Sequence, residues 1–341
     1  MLISVWAKFW SMQLNMKSKH ITLAHGNGGR LTNELIHEIF LKYFDNPFLR
    51  SLSDATEVPF SGRLVVTTDG YIVDPIFFPG GDIGKLAVCG TINDLAVSGA
   101  LPKYLTCNFF IEEGFSIENL KQICQGMANT AKENDVLIVA GDTKVLPKGE
   151  SSGISIATTG IGEAQPHSLG ISKVKTGDLI YVTGSIGDHG AAVLLAREKF
   201  GLSGDVKSDC ASVLQPSQKL LTNPHLKFMR DPTRGGLATV CHEIIELTRL
   251  GINLYQDQLP IQKSVSTFCE ILGFDPLYLA CEGRIVFIID PQGEKLLNSL
   301  DFNLHHIGEI DANHDQLLLN THIGGKKLLP VLEHDALPRI C

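Results

Sequence analysis

Acidic side chains mark the places where this sequence could hold a metal ion. Asp69 (in TTDG), Asp142 (in AGDTK) and Asp231 (in MRDPTRGG) each stand where an apolar, strand-like run gives way to glycine or a loop, and Asn93-Asp94 follow a glycine-rich helix start. Taken singly, each aspartate is an ordinary turn residue. Taken together they are hard oxygen donors suited to Mg²⁺. Glycine-rich turns stand beside helix starts at 26–29, 80–84 and 235–236, where backbone N–H groups suit phosphate. Lys144, two residues beyond Asp142, adds a cation. The set points to a nucleotide–magnesium site. The far end of the chain carries a different chemistry: the last residue, in PRIC, is Cys341, a thiol beside the α-carboxylate.

The elements that must position these residues can be read from periodicity. HGNGGRLTNELIHEIFLKYF is a glycine-rich turn running into a helix, with Leu31, Leu35, Ile36, Ile39 and Phe40 at helical spacing. RLVVTTDGYIVDP (63–75) reads as the strand carrying Asp69, and GGDIGKLAVCGTINDLAVSGA (80–100) as a small-residue helix carrying Asn93 and Asp94. KYLTCNFFIEEG is another strand. SIENLKQICQGMANTAKEND is a helix capped by Ser116, with Leu120, Ile123, Cys124, Met127 and Ala131 as its buried stripe. VLIVAGDTK is a buried strand ending at Asp142 and Lys144, and SGISIATTGIGEA is a further strand.

The pattern restarts at KVKTGDLIYVTGSIGDHGAA, with strand 179–183, glycine loop 184–190 and a helix from Ala191. Then comes LKFMRDPTRGGLATVCHEIIELTRLGINLY, a strand, a loop and a helix. The helix keeps Leu237, Val240, Cys241, Ile244, Ile245 and Thr248 on one face, and Gly251 is the expected left-handed cap. Glu282 enters the strand CEGRIVFIID. Strands and helices alternate irregularly, which predicts two α+β domains. The expected division is an extension over 1–20, an N-terminal domain over 21–168, a C-terminal domain over 169–330 and a flexible tail over 331–341.

The bulk chemistry narrows the function classes. The 341 residues carry 37 acidic against 29 basic side chains, a net charge of −8, with no dense Lys/Arg run, so no nucleic-acid or anionic-membrane surface is expected. No apolar run has the length of a membrane span, and Lys8 interrupts the apolar start, against a signal peptide. A later start at Met12 or Met16 is the simpler reading of those residues. Seven of the eight cysteines read as small buried hydrophobes of a reducing cytoplasm. Cys341 does not share their setting, and with Pro338 fourth from the end it is no prenylation site. Other motifs fail on context. Gly149–Gly153 fits G-x-S-x-G but reads as a hairpin-type loop, and Glu246 stands where a metalloprotease helix beginning His242-Glu243 needs its second histidine. There is no P-loop, and no dinucleotide-binding glycine fingerprint follows a strand.

LAHGNGGRLTNELI, TTDGYIVDPIFFPGGDIGKLAVCGTINDLAVSGA, AGDTKV, GSIGDHGAA, RDPTRGGLATV and the terminal PRIC together resemble the HypE family of hydrogenase maturation factors, over about residues 21–341. That family is a carbamoyl dehydratase within the superfamily of aminoimidazole ribonucleotide synthetase, selenophosphate synthetase and thiamine-monophosphate kinase. The resemblance implies an ATP-binding two-domain fold whose N-terminal strands form a barrel in a homodimer. It implies that HypF carbamoylates Cys341, that ATP drives dehydration of the thiocarboxamide to a thiocyanate, and that the cyano group passes to iron on a HypC–HypD complex. By the same resemblance Asp69, Asp94 and Asp142 are the Mg–ATP ligands. Asn93, Thr143, Asp231 and Arg234 line the cleft, and Gly26, Gly28, Gly29 and Arg30 cover the phosphates. Asn27 stands where the family often has serine.

The need for ATP follows from leaving-group chemistry. Water has a pKa of about 15.7, whereas phosphate has a second pKa of about 6, so phosphorylating the carbonyl oxygen turns a poor leaving group into a good one. Lys144 and Glu282 are the candidates for proton transfer and charge stabilisation. A phosphate contact for Lys144, and a salt bridge to Arg284 or a metal ligand for Glu282, stay open. Two other functions also stay open: a small-molecule synthetase or kinase of the same superfamily, which has no use for PRIC, and a carrier that presents its tail without catalysis.

Overall fold

The computed structural model describes residues 18–52, 55–167, 169–197, 204–332 and 340. Cys341, most of the expected tail and residues 1–17 of the expected extension lie outside the described residues. Among the described residues thirteen strands form two main sheets and one small hairpin. The N-terminal sheet has the order β1-β6-β4-β5, from β1 (Leu64–Tyr71), β4 (Ala100–Glu112), β5 (Leu137–Leu146) and β6 (Ile154–Ala164). The hairpin pairs β2 (Phe77–Phe78) with β3 (Gly81–Asp82). The C-terminal sheet has the order β13-β12-β9-β11-β7-β10-β8, from β7 (Leu179–Val182), β8 (Leu226–Arg230), β9 (Gly251–Tyr255), β10 (Val286–Ile289), β11 (His305–Asp311), β12 (Leu317–Asn320) and β13 (Lys326–Leu328). Among the described strands only β4–β5 and β9–β12 pair in parallel. Mainly antiparallel sheets with helices laid on them make an α+β fold. The chain passes from one sheet to the other between Ala164 and Leu179.

In the N-terminal sheet, alternation of side chains sends one set toward the helices and the other outward. Helices Ile83–Val97 and Ile117–Glu133 cover the inner face. The second is capped by Ser116, whose side chain accepts from Asn119 N–H at 3.3 Å. Helix Ile83–Val97 is buried nearly all round, from Ile83 to Val97, as its run of small and apolar residues requires. It packs on the N-terminal sheet and also against helix Leu214–Leu220 of the other half, so it is the hinge-side wall of both domains. Asp82 caps it by accepting from the N–H groups of Gly84 (2.8 Å) and Lys85 (3.1 Å). Gly90 lets Tyr71 pack against it, since a Cβ there would stand 2.4 Å from the Tyr71 hydroxyl. The outer face of the same sheet is open: Leu64 and Val66 are 58% and 55% exposed and Phe110 is 36% exposed.

Three local expectations need correction. The loop at 147–153 joins β5 to β6, but β4 lies between those strands, so it crosses over a neighbour and is no hairpin. The helix expected from Ala191 runs Asp188–Ala196, because Gly187 adopts a left-handed φ of 80° that starts it three residues earlier. Helix Gly236–Thr248 ends on Arg249 in the left-handed region (φ 60°), not on Gly251. Gly251 lies in β9, where a Cβ would meet His314 at 2.1 Å, so the glycine answers to packing and not to the cap.

Candidate active site

Four carboxylates converge where the two domains meet. Asp69 comes from the inner face of β1 and Asp94 from helix Ile83–Val97. Asp231 comes from the turn after β8, and Glu282 from the segment entering β10. With Gly70, Tyr71, Gly90, Thr233 and Arg234 they line one small cleft. Thr67, next to Asp69 on the same strand face, donates to Asp94 Oδ2 at 2.7 Å. The turn carrying Thr233 and Arg234 is set by Gly235 and Gly236, both at positive φ. A Cβ on Gly236 would stand 2.5 Å from the Leu279 carbonyl oxygen, so the turn can press against the chain leading to Glu282 only because no side chain intervenes.

The cleft holds more negative charge than it neutralises. Among the described residues its lining contributes a single cation, Arg234, which stands 3.7 Å from Asp69. Burial lifts Asp94 above the ordinary aspartate range despite the Thr67 hydrogen bond, and Asp69 adds to the rise. Burial, with the charges of Asp94 and Asp69, pushes Asp231 up to about 7. Glu282 is lifted well above the usual carboxylate range by burial first, then by Asp231, Asp209 and Asp69. Its Oε1 is buried without a hydrogen-bond partner. An orphaned oxygen among repelling carboxylates is a place for a cation.

The donors are hard oxygens, the class that Mg²⁺ takes. Among the described residues no three Asp, Glu, His or Cys side chains already stand together as ligands. Mg²⁺ characteristically takes one or two carboxylates, waters and substrate phosphates, which suits such a site.

The expected residues separate into three groups. Asp69, Asp94, Asp231, Arg234 and Glu282 share the cleft. Asn93 is spent elsewhere: its Nδ2 donates to the Ala211 carbonyl (3.1 Å) and the Glu282 carbonyl (3.4 Å), and its Oδ1 accepts from Val213 N–H (2.8 Å). Asn93 is 1% exposed and clamps the two domains; it does not line the cleft. Asp142, Thr143 and Lys144 sit on β5, the far edge of the sheet. The row Asp69–Thr158–Cys107–Gly141 crosses all four strands, a span of about 14 Å at about 4.8 Å per strand. Asp142 lies opposite Asn108 and Lys144 opposite Phe110, both exposed on the outer face. Within one chain, then, Asp142 and Lys144 do not join Asp69, Asp94 and Glu282. They pair with each other at 2.5 Å, and Lys144 holds Asp142 below the ordinary range.

The glycine turn belongs with β5. A Cβ on Gly26 would stand 3.0 Å from Val145. Gly28 (φ 79°) gives its N–H to Thr32 Oγ1 at 2.9 Å, and Gly29 is extended. Arg30 is paired with Glu34 and is not free over the turn. Beside them a cavity of about 280 Å³, lined by Leu35, Phe40, Phe44, Phe109 and Ile138, is bordered by Asp142 and Thr143.

Sequence reasoning missed the support behind Glu282. Asp209 accepts from the backbone N–H of Glu282 (3.1 Å) and Gly283 (3.2 Å), and Arg284 Nε stands 3.5 Å from it. Arg284 therefore serves Asp209 and Asp188 (3.4 Å), not Glu282. Asp209 lies in KSDCASV, a stretch without motif or periodicity, so nothing in the sequence marked it.

Residues 53–164 match the N-terminal domain, and 175–319 the C-terminal domain, of AIR synthase related proteins; two such domains closing on an acidic cleft define the class. Within it the chain belongs to the HypE family. It is 40% identical over 352 residues to a protein of Rhizobium leguminosarum bv. viciae named carbamoyl dehydratase HypE, covering 99% of this chain and 100% of that one. A crystal structure of the hydrogenase maturation protein HypE in complex with ATP superposes with a TM-score of 0.89 at 42% identity, covering 94% of this chain and 99% of that one. A HypE–HypF complex matches at 43% identity and a TM-score of 0.76, covering 87% and 99%.

Proposed function

We propose that this chain uses ATP to dehydrate an S-carbamoyl group on Cys341 to an S-cyano group, the cyanide donor for assembly of a [NiFe]-hydrogenase iron centre. The observation that carries the reading is that the segment bearing Glu282, whose Oε1 is buried and unpartnered in an acidic cleft, is linked by hydrogen bonds to the residue before Cys341. Ile340 is buried and held by a residue that contacts Ser208; the next residue, Asp209, binds the Glu282 amide. The carrier Cys341 lies outside the described residues but is bonded to Ile340.

The chemistry divides into two steps. The carbamoyl oxygen attacks the γ-phosphorus of ATP and the amide nitrogen loses a proton, giving an S-linked imidate phosphate and ADP. Phosphate then leaves with the C–O electron pair as the nitrogen loses its second proton, and the C≡N bond forms. Glu282 is the proposed acceptor of these protons one at a time, the first passing to solvent before the second is taken; lifted above the usual range, it is a stronger base than a surface glutamate. A magnesium ion held by Asp69 and Asp94, with Asp231 beside them, would neutralise the polyphosphate. The nucleotide is proposed to lie with its base in the apolar cavity beside β5 of a second copy and its phosphates passing that copy's Gly26, Gly28 and Gly29 toward the cleft. The ATP complex of the family neighbour supports an ATP site in this fold.

We also propose a homodimer. The open outer face with Leu64, Val66 and Phe110 is covered by a second copy, completing a barrel. Setting β5 of one copy beside β1 of the other would bring the partner's sheet edge, with Asp142, Thr143 and Lys144, alongside the strand that carries Asp69. HypF is the proposed carbamoyl donor, in keeping with the HypE–HypF neighbour, and HypC–HypD the acceptor. No helix among the described residues is long and apolar enough to cross a membrane, and seven free, buried cysteines suit the proposed cytoplasmic setting. ATP turnover in the presence of HypF and carbamoyl phosphate tests the assignment. It should collapse in Cys341→Ala, and full turnover in that variant would sink the reading.

A further inference from the structure

Residues of DPIFFPGG and GSIGDHG meet around Ile340, the described residue of the terminal PRIC. His189, from the start of helix Asp188–Ala196, is fully buried. Its Nε2 stands 2.7 Å from the carbonyl oxygen of Ile340 and its Nδ1 2.8 Å from Ser208 Oγ. A carbonyl oxygen only accepts, so Nε2 carries the proton and Nδ1 accepts from the serine hydroxyl. Ser208 Oγ in turn accepts from Cys210 N–H at 3.0 Å. Phe78 closes one side, edge-on to the imidazole with ring centroids 5.3 Å apart. The glycine turn after Phe78 presses on the same segment: Pro79 O accepts from Ser208 N–H at 2.8 Å, and a Cβ on Gly80 would stand 2.5 Å from Ser208 O. The Ile340 side chain, 5% exposed, belongs to the same apolar cluster as Phe78, Val206 and Cys210.

We propose that His189, Ser208 and Phe78 form a receptor for the penultimate residue of the chain, with His189 as a positioning residue for the terminal thiol. This rests on the reading that Cys341 carries the reacting group. The receptor grips the backbone carbonyl and the side chain of Ile340. Docking Ile340 would fix the chain one residue before the thiol, about 3.8 Å between Cα atoms, at a site linked through Ser208 to the segment in which Asp209 binds Glu282. Both domains contribute, Phe78 and Pro79 from one and His189 and Ser208 from the other, so the receptor is complete only when the domains are closed on each other. Without the tail the His189 N–H would be buried with no acceptor among the described residues, which favours refilling the site. Burial holds the imidazole down at about 4, so the neutral donor persists at physiological pH.

Carboxypeptidase digestion of the full-length protein, followed by intact mass, reads the population of undocked tail without ATP, HypF or carbamoyl phosphate. His189→Leu removes the donor and should speed release of Cys341 and Ile340 about tenfold, one hydrogen bond or about 1.4 kcal/mol. His189→Gln, which retains an N–H donor, should stay much closer to the wild type. Equal rates in His189→Leu and wild type, or a His189→Gln variant as fast as His189→Leu, overturn the proposal. Should His189→Leu lose its fold by circular dichroism, Ser208→Ala decides, with about a threefold rise expected and an unchanged rate overturning the proposal. Failure of cyanylation with an intact digestion pattern would instead count against the dehydratase reading.

Discussion

Asp231→Asn is expected to stabilise the metal-free protein, and by an amount that depends on pH. Asp231 is 7% exposed, and its pKa rises from 3.8 to about 7 through burial and the charges of Asp94 and Asp69. A folded-state pKa above the unfolded value means that the native state binds the extra proton between the two. The associated stability is present below pH 3.8 and is lost as pH rises through 7. Three pKa units at 1.36 kcal/mol each amount to about 4 kcal/mol. Asparagine has nearly the same shape and cannot ionise, so it escapes this cost. Urea unfolding of wild type and variant in EDTA should coincide near pH 4 and diverge to about 4 kcal/mol by pH 8. Added Mg²⁺ should close the gap, since it stabilises the native wild type by occupying the cleft. A variant no more stable than wild type at pH 8 in EDTA, or a difference that does not shrink toward pH 4, would refute the picture of an over-charged cleft awaiting a cation.

Other expectations follow from the same structure. Asn93→Ala removes a buried clamp of three hydrogen bonds and should cost about 2–3 kcal/mol in denaturant unfolding. Lys144→Ala alters a side chain 60% exposed, so stability should stay within about 0.5 kcal/mol while cyanylation of Cys341 falls by at least about tenfold, the loss of one charge contact. If the partner supplies Lys144, mixed dimers of Lys144→Ala with Glu282→Gln chains will contain one intact site and recover activity that neither parent has; no recovery would place both residues in one chain's site.

How much of this was legible in the sequence depended on whether a feature is local or relational. Ser116 as a cap and the stripe Leu120–Ala131 are written in a few adjacent residues and appear in the fold as read. Asp69, Asp94, Asp231 and Glu282 each stand in a short recognisable stretch, Asp69 within β1, Asp94 within helix Ile83–Val97, Asp231 just after β8 and Glu282 before β10, and tertiary structure brings them to one cleft. Asp142 and Lys144 look the same locally. Their separation from Asp69 follows from strand order, β1-β6-β4-β5, which no single strand's pattern encodes. Asn93, adjacent to Asp94, points a different way because helix Ile83–Val97 has no solvent face: one side meets the cleft and the next meets the other domain. Gly251 was misread because a glycine after a helix fits a cap as well as it fits a close contact with His314. Asp209 and Ser208 carry no signal at all, since their partners are backbone groups and a histidine distant in sequence.

The most direct test is the mass of the C-terminal peptide. Full-length protein incubated with HypF, carbamoyl phosphate and Mg-ATP should first gain the mass of one carbamoyl group on Cys341. It should then lose one water from that adduct, and only while ATP is consumed. Omitting ATP should arrest it at the carbamoyl stage, as should Glu282→Gln. A Cys341 that stays unmodified under these conditions, or an adduct that loses water without ATP, would contradict the account.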